Sequence, residues 1–269
     1  MSGEALLSVD IRAAYAGGGN VLRRVALEVR RGEVVGLVGR SGCGKSTLAL
    51  AILRLLHLKG GHAEGAVTFA GRDLMRMRER EMRAMRGREI ALVLQSPIAA
   101  LNPALRIGSQ MTEAWRVHRR RTTREECAAA ISDSLGRVSL PTDAAFLRKY
   151  PAELSVGQAQ RVLIGMAVLH RPLLLIADEP TSALDMITQA EILELFADLS
   201  RNLRMSILYI SHDLLSVAAI SDRVAVMEQG EIVECQPTAE LFTNPAHPYT
   251  RKLIGSLPVA PQFRAAANF

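Results

Sequence analysis

Nine consecutive residues decide how the chain folds: Gly39-Arg40-Ser41-Gly42-Cys43-Gly44-Lys45-Ser46-Thr47. They fit the pattern G-x-x-x-x-G-K-[ST] at every fixed position, with one further glycine inside it. Residues 33–38, which precede them, have the composition of a short buried strand, and residues 48–53 have that of the first turns of a helix. A strand, a glycine-rich loop and a helix in this order are the setting of a phosphate-binding loop.

The residue types in this loop suit phosphate. Glycines allow successive backbone N–H groups to turn inward around an anion, and the start of the following helix adds its dipole. Lys45 brings a positive charge to the outer phosphates, and the Ser46 hydroxyl is a ligand for Mg²⁺. The alternative is a glycine-rich turn with an incidental lysine. It is disfavoured because the full pattern stands between a predicted strand and a predicted helix.

The composition is that of a folded chain with an aliphatic core. Of 269 residues, 49% are hydrophobic and 4% aromatic, which allows one large domain or one domain with a sizeable insertion. No apolar run approaches the ~18–20 residues of a membrane span, and the N-terminal residues do not have the pattern of a signal peptide. The three cysteines, Cys43, Cys127 and Cys235, form no C-x-x-C pair. This spacing fits a reducing compartment and disfavours a disulfide framework or a zinc site.

The chain is basic, with a net charge of +6. A positive surface suits nucleic acid or anionic lipid headgroups. Its arginines are concentrated at 72–88 and 119–124, and in the first cluster they alternate with methionine and glutamate. That alternation is typical of an exposed helix with i,i+4 ion pairs. We therefore interpret the basic residues mainly as solvated surface and expect no nucleic-acid partner.

The pattern along the chain predicts an α/β protein. Strands are predicted at 6–11, 21–29, 65–69, 90–94, 173–177 and 205–210, followed by a hairpin at 224–235. The segment 97–160 has helical patterns instead, with a capping-box start at Thr122 and Thr123. We assign 1–96 and 161–235 to an α/β core with an antiparallel β subdomain. We assign 97–160 to a helical insertion and 236–269 to a C-terminal tail.

Three of the predicted helices are specific enough to test against the structure. The helix after the loop is expected to run to about residues 59–61. The helix over 187–199 is expected to bury Ile187, Ala190, Leu193 and Phe196 on one side. The tail is expected to hold one short helix, over 239–242, before a proline-rich end.

Two acidic residues, Asp178 and Glu179, follow the continuous apolar run 173–177. Such a run is typical of a central parallel strand covered on both faces. A carboxylate at the C-terminal end of this strand lies beside the phosphate-binding loop, so we predict that Asp178 holds Mg²⁺, directly or through water. Glu179 is expected to point toward the terminal phosphate and to orient or deprotonate the attacking water. The alternative, an acidic turn, is disfavoured by the loop in the same chain.

Two more polar residues follow predicted strands. His212 comes after the strand over 205–210 and can donate a hydrogen bond to the terminal phosphate. Gln95 ends the strand over 90–94 and offers a carbonyl oxygen to Mg²⁺ and an amide to water. A single histidine is more often an ordinary surface or core residue, but the end of a parallel strand favours a functional role here.

Leu154-Ser155-Val156-Gly157-Gln158 opens another predicted helix, for which Ser155 is a good N-cap. A loop of small residues at a helix N-terminus is a second candidate anion site. One chain has no evident use for two such sites on one nucleotide. In a dimer, this loop could close over the nucleotide held by the partner's phosphate-binding loop.

In this order and spacing, the motifs resemble those of ATP-binding cassette (ABC) ATPase subunits over nearly the whole chain. The matches are the Walker A loop (39–46), the Q-loop residue Gln95, the signature (154–158), the Walker B strand (174–178) followed by Glu179, the D-loop (182–185) and the switch histidine His212. The resemblance implies a P-loop NTPase fold with a RecA-like core, and ATP and Mg²⁺ as ligands. It assigns catalysis to Lys45, Gln95, Glu179 and His212; nucleotide contacts to Tyr15, residues 39–47, Ser155, Gly157, Gln158 and Asp185; and Mg²⁺ binding to Ser46, Gln95 and Asp178.

Two short stretches narrow the resemblance. Gln95-Ser96-Pro97 with Leu101-Asn102-Pro103, and His247-Pro248-Tyr249-Thr250, are similar to ATPase subunits of oligopeptide, dipeptide and nickel importers. This implies a peripheral ATPase on the cytoplasmic face of the inner membrane. Its partners would be a transmembrane permease, a second and non-identical ATPase chain, and indirectly a solute-binding protein. The solute, a peptide or a related small solute such as nickel or a metal chelate, would be chosen by the other subunits.

Other functions stay open on the sequence alone. A soluble ABC-type ATPase in a non-transport complex is one alternative, and a partly degenerate regulatory cassette is another. Val156 bears on the second, because the family usually has glycine at this position. A β-branched residue disfavours positive φ and crowds the backbone. Our hypothesis is that, if this position needs a glycine conformation, the composite site using this signature is impaired or merely tolerant, whereas the site using this chain's own Walker A loop, Glu179 and His212 is competent.

Overall fold

The computed structural model describes residues 4–257. Within them, ten strands form one sheet: Ala5–Tyr15 (β1), Asn20–Arg30 (β2), Val34–Val38 (β3), Gly61–Phe69 (β4), Arg72–Asp73 (β5), Ile90–Val93 (β6), Leu174–Asp178 (β7), Ser206–Ser211 (β8), Arg223–Glu228 (β9) and Glu231–Pro237 (β10). The α-helices are Lys45–Ile52 (α1), Glu79–Met85 (α2), Pro97–Ala100 (α3), Ile107–His118 (α4), Arg124–Arg137 (α5), Ala144–Leu147 (α6), Val156–Val168 (α7), Met186–Leu203 (α8), Leu214–Ile220 (α9), Thr238–Thr243 (α10) and Pro248–Gly255 (α11). Short 3-10 turns lie at Leu56–Lys59 and Pro151–Glu153.

The sheet has two parts with different pairing. Its strand order is β5-β4-β1-β2-β10-β9-β3-β8-β7-β6. The strands β9, β3, β8, β7 and β6 run parallel to one another, whereas β5, β4, β1 and β2 pair antiparallel. The predicted combination of an α/β core and an antiparallel β subdomain is therefore confirmed.

The parallel strands are apolar throughout because helices or strands cover both of their faces. In β8, Ile207 and Tyr209 pack into one core and Leu208 and Ile210 into the other. The first core is shared with α4, α5, α7, α8 and α9, and the second with α1, α2 and the antiparallel strands. In β2, by contrast, buried and exposed residues alternate over much of the strand, as a half-covered antiparallel strand requires.

The segment 97–160 contains helices and no strand, as predicted. Its clearest local signal is confirmed: Thr123 caps α5 and forms a capping box with Glu126. The Thr123 Oγ1 accepts from the Glu126 N–H at 3.1 Å, and the Glu126 carboxylate accepts from the Thr123 N–H at 2.9 Å.

Four expectations about helices were wrong in detail. The helix after the loop ends at Ile52, because Arg54 takes a left-handed φ of 53° before a separate 3-10 turn. In α2, Met82 and Met85 are buried and the ion pairs join residues three or seven apart, so the helix is amphipathic and lacks the predicted i,i+4 pairs.

The other two corrections concern α8 and the tail. The buried side of α8 is formed by Ile192, Leu195, Phe196 and Leu199, while Ile187 is 76% exposed. The four predicted residues are each three positions apart, and such a series drifts off one face of a helix. The four buried residues instead follow the i, i+3, i+4, i+7 spacing. The tail contains a second helix, α11, which begins with proline at its first turn. Its proline-rich end after residue 257 lies outside the described residues.

Candidate functional site

The candidate site lies where parallel strands end at one edge of the sheet. The phosphate-binding loop follows β3, Gln95 follows β6 closely, Asp178 ends β7, and His212 follows β8. Since these four strands are parallel and adjacent, their C-terminal ends bring the four motifs together. This is the edge at which open α/β sheets bind ligands.

The phosphate-binding loop has the backbone that its glycines allow. Gly44 caps α1 with a φ of 114°, a conformation that side chains disfavour, so glycine is required there. Lys45 is buried beneath the loop, and its ammonium donates to the carbonyl oxygens of Gly39 at 2.8 Å and Arg40 at 3.2 Å. The lysine therefore already contacts the loop to which phosphates are expected to bind.

The Glu179 carboxylate is the centre of the site. Its Oε2 accepts from the Gln95 Nε2 at 3.1 Å and lies 3.2 Å from the His212 Nδ1. Its Oε1 lies 3.8 Å from the Lys45 Nζ. Glu179 has a left-handed φ of 47°, and its N–H donates to the Ile210 carbonyl at 2.9 Å. All four residues predicted to be catalytic thus meet at one carboxylate.

The residues predicted to bind Mg²⁺ form an oxygen-rich set at the same edge. The Ser46 hydroxyl donates to the Asp178 Oδ1 at 3.0 Å. Burial raises the pKa of Asp178 above its ordinary value, while the Ser46 hydrogen bond and the Lys45 charge act the other way. A buried carboxylate whose charged form is disfavoured gains from a cation, and hydroxyl, carboxylate and amide oxygens are the hard donors that Mg²⁺ prefers. These residues therefore fit the metal.

Tyr15 lies next to the loop at the end of β1. Its hydroxyl is 3.3 Å from the Thr47 Oγ1 on α1, and its ring is partly buried against the core that contains β1 and α1. The structure thus places the aromatic residue predicted to contact the nucleotide beside the helix that carries Lys45 and Ser46.

The signature residues do not join this group. Within residues 4–257, no hydrogen bond links 154–158 to the phosphate-binding loop. Ser155 and Gln158 cap α7 reciprocally at 3.2 Å, and the N–H groups of Val156 and Gly157 have no partner among those residues. The signature instead packs on α8, the helix that follows the D-loop. A Cβ on Gly157 would lie 2.8 Å from the Thr188 Cγ2. The Thr188 hydroxyl in turn donates to the Asp185 Oδ2 at 2.7 Å.

One argument about Val156 was wrong. Val156 is the first residue of α7, and it is absent from the residues with positive φ. The position therefore needs no glycine conformation, and valine does not strain the backbone there. Its side chain is 38% exposed, so any remaining effect on a composite site would come from the side chain itself.

Two contacts at the site were missed from the sequence. The Arg40 N–H of the phosphate-binding loop donates to the Tyr249 hydroxyl in α11 at 3.3 Å. Behind the turn that follows Glu179, the Thr181 Oγ1 lies 3.1 Å from the buried Tyr209 hydroxyl. Each pair is separated widely in sequence, so only the fold shows the contact. The His-Pro-Tyr-Thr stretch was the one available signal for Tyr249.

The comparisons with known proteins agree with this geometry. The family described as "ABC transporter" matches residues 22–182, well over half of the chain. The chain belongs to the ABC transporter family. It is an ATPase with the α/β fold of P-loop NTPases. A second family, described as "Oligopeptide/dipeptide transporter, C-terminal region", matches residues 233–266 and so includes α10 and α11.

Named relatives fall in the same group. The chain is 41% identical over 245 residues to the oligopeptide transport ATP-binding protein OppD of Bacillus subtilis, covering 91% of this chain and 68% of OppD. It is 41% identical over 260 residues to the dipeptide transport ATP-binding protein DppD of Escherichia coli, covering 94% and 79%. It is also 41% identical to the glutathione import ATP-binding protein GsiA of Salmonella choleraesuis, of which it spans only 39%.

Two solved structures share the fold. One is the cassette cbiO1 from Clostridium perfringens, part of the ABC transporter complex cbiONQ, with a TM-score of 0.77 and 26% identity over 95% of this chain and 96% of that one. The other is the cassette MJ0796, a dimer in a post-hydrolysis state bound to ADP and Pi, with a TM-score of 0.73 and 25% identity over 86% and 98%.

None of the helices within residues 4–257 has the length and hydrophobicity of a membrane span.

Proposed function

We propose that the chain is the ATP-hydrolysing subunit of an ABC importer that takes up peptides or a related small solute. The observation that carries the catalytic part is the convergence of Lys45, Gln95 and His212 on the Glu179 carboxylate. The match of the C-terminal residues to the oligopeptide/dipeptide group supports the class of solute.

The geometry suggests a role for each residue of the site. The loop N–H groups and Lys45 bind the phosphates of ATP. Glu179 accepts a proton from the water that attacks the terminal phosphate, or orients that water. The His212 Nδ1 contacts the Glu179 carboxylate, and His212 would donate a hydrogen bond to the terminal phosphate. Gln95 fixes the Glu179 carboxylate through its amide.

The Mg²⁺ that ABC ATPases use would be held by Ser46 and Asp178, with the Gln95 carbonyl oxygen as a third protein ligand. When bound, it would neutralise charge on the outer phosphates. The Gln95 amide contacts Glu179, which leaves its carbonyl oxygen as the atom that would ligate the metal. This residue would therefore connect the metal and the catalytic carboxylate to α3, which begins two residues later.

The N–H groups of Val156 and Gly157 at the start of α7, which have no partner in the described part of the chain, fit a site completed by a second cassette. We propose that Ser155, Gly157 and Gln158 close over the nucleotide of a homologous, non-identical chain, with Asp185 at the same interface. The helices of 97–160 would dock on a transmembrane permease at the cytoplasmic face of the inner membrane. A solute-binding protein would deliver the solute to that permease.

Glu179→Gln in the assembled transporter tests the catalytic assignment. The variant keeps the shape of the side chain but cannot accept the proton, so steady-state ATP hydrolysis should fall by a factor of ~10²–10⁴ while ATP binding persists. The matched control is Glu64→Gln on the exposed side of β4, which should hydrolyse ATP at the wild-type rate. Fast turnover by Glu179→Gln would contradict the role of Glu179.

The importer assignment needs a transport assay. Cells with and without the chain should differ in ATP-dependent uptake of labelled di- and oligopeptides, and the chain should co-purify with a membrane permease. Loss of nickel or metal-chelate uptake with intact peptide uptake would move the proposal to the metal branch of the group. Unchanged uptake of both, with ATPase activity in a soluble complex, would refute the transport role.

A further inference from the structure

The C-terminal helix α11 reaches the phosphate-binding loop from outside. Tyr249, in its first turn, accepts a hydrogen bond from the Arg40 N–H at 3.3 Å. The ring is partly buried, together with Leu253, against the core that contains α7 and α8, and burial raises the pKa of its hydroxyl. The hydroxyl therefore stays neutral at physiological pH and accepts from the loop.

Tyr249 and Lys45 contact the same peptide unit. The Arg40 N–H and the Gly39 C=O belong to one planar trans peptide, in which they point in opposite directions. The Lys45 ammonium donates to the Gly39 oxygen at 2.8 Å. An acceptor on the N–H polarises the peptide and makes its carbonyl a better acceptor. Tyr249 thus acts on the carbonyl that holds the lysine.

The segment that carries Tyr249 is firmly anchored. The buried Glu234 carboxylate on β10 accepts from the N–H groups of Ala246 at 2.7 Å and His247 at 2.9 Å. The His247 Nδ1 then accepts from the Tyr249 N–H at 3.2 Å and caps α11. Arg251 donates to the carbonyl oxygens of Pro245 and Ala246. The position of Tyr249 is therefore set by contacts with β10 and does not depend on a bound nucleotide.

We propose that Tyr249 is a positioning residue for Lys45. Tyr249 holds the Gly39–Arg40 peptide in place and thereby positions the Lys45 ammonium to bind the outer phosphates. The C-terminal segment thus acts directly on nucleotide binding. The inference rests on the proposed role of Lys45 as a phosphate ligand. It gives the tail a role in the ATPase site.

Tyr249→Phe removes only the hydroxyl. One neutral hydrogen bond is lost, so we expect the Kd for Mg²⁺-free ATP and ADP, and the KM for ATP, to rise by about threefold to tenfold. The kcat at saturating ATP should change less, because Lys45 is placed before the chemical step. AMP has no outer phosphates for Lys45, so its Kd should not change. Equilibrium binding to the full-length chain measures these constants.

Matched variants separate the possible outcomes. Tyr150→Phe removes a hydroxyl that contacts Arg106 away from the loop, and its nucleotide affinity should equal that of the wild type. In a Lys45→Ala background, Tyr249→Phe should cause no further loss. An additive loss, an equal loss for AMP, or wild-type ATP affinity of Tyr249→Phe would each overturn the proposal.

The same measurements test the underlying assignment separately. If Lys45→Ala binds ATP as tightly as the wild type, Lys45 is not a phosphate ligand and the proposed site fails. If Lys45→Ala weakens binding but Tyr249→Phe does not, only the inference about Tyr249 fails. A thermal melt of each variant, expected to match the wild type, shows that the fold is retained.

Discussion

Replacing Gly157 with alanine tests the packing between the signature helix and the D-loop helix. A Cβ at this position would lie 2.8 Å from the Thr188 Cγ2, whereas carbon atoms in ordinary contact are ~3.5–4.0 Å apart. Thr188 cannot rotate away freely, because its hydroxyl donates to Asp185 at 2.7 Å. The new methyl group must therefore break this hydrogen bond or push the two helices apart.

The magnitude follows from two opposing effects. Alanine stabilises a helix by ~0.5–1 kcal/mol relative to glycine, but overpacking a close contact costs ~1–3 kcal/mol. We expect a net loss of about 1–2 kcal/mol for Gly157→Ala, which lowers Tm by ~2–4 °C for each kcal/mol in a chain of roughly this size. Displacing Thr188 also weakens the cap that Asp185 forms on α8, so ATP hydrolysis in the assembled transporter should fall as well.

Urea unfolding of the isolated chain provides the assay, with Thr188→Ser as the rescuing change. Serine keeps the hydroxyl for Asp185 but lacks the methyl group, so the double variant should be about as stable as Thr188→Ser alone. Gly136→Ala in α5 is the control, because no atom lies within 4 Å of its Cβ, and it should gain ~0.5–1 kcal/mol. If Gly157→Ala is as stable as the wild type, or if serine does not rescue it, the packing argument fails.

Three further predictions follow from single residues. Val156→Gly should leave the hydrolysis rate of the transporter unchanged, because the valine already has a helical backbone; a faster rate would show that its side chain restricts the site. Asp178→Asn should abolish Mg²⁺-dependent ATP binding yet raise Tm. The reason is that burial raises the pKa of Asp178, so stability falls as the pH rises through that pKa, and the amide removes this cost; a lower Tm of the variant at neutral pH would contradict this. Tyr209→Phe should cost about 1–3 kcal/mol in urea unfolding by leaving the Thr181 hydroxyl unpaired, whereas an equal loss in a Thr181→Val background would point to another cause.

The sequence allowed the candidate site residues to be grouped because they lie at strand ends. A nine-residue loop, an acidic pair after an apolar run, and single polar residues after two other strands are all local signals. Because the strands are parallel and adjacent, the residues that follow them lie together at one edge of the sheet. That is why Lys45, Gln95, Glu179 and His212 could be grouped before any contact was known. The sequence could not show that Lys45, Gln95 and His212 all contact the two carboxylate oxygens of Glu179.

The failures came from features that depend on tertiary packing. The buried side of α8 was misplaced because Ile187, which is apolar, lies exposed beside the D-loop. The interpretation of α2 as an exposed helix failed because Met82 and Met85 are buried in the core. In the tail, only the helix over 239–242 was predicted, and α11, which has proline in its first turn as helix starts often do, was missed. Each local pattern was ambiguous until the neighbouring element was known.

We propose that this chain holds one complete half and one open half of an ATPase site. Lys45, Gln95 and His212 contact the Glu179 carboxylate within the chain, so the half proposed to bind phosphates and to activate water needs no residue from a partner. At α7, Ser155 and Gln158 bond each other, and the N–H groups of Val156 and Gly157 have no hydrogen-bond partner within residues 4–257. Unpaired N–H groups at the start of a helix are a ready site for an anion. The two halves are therefore consistent with a nucleotide that is bound first by one cassette and then enclosed by another.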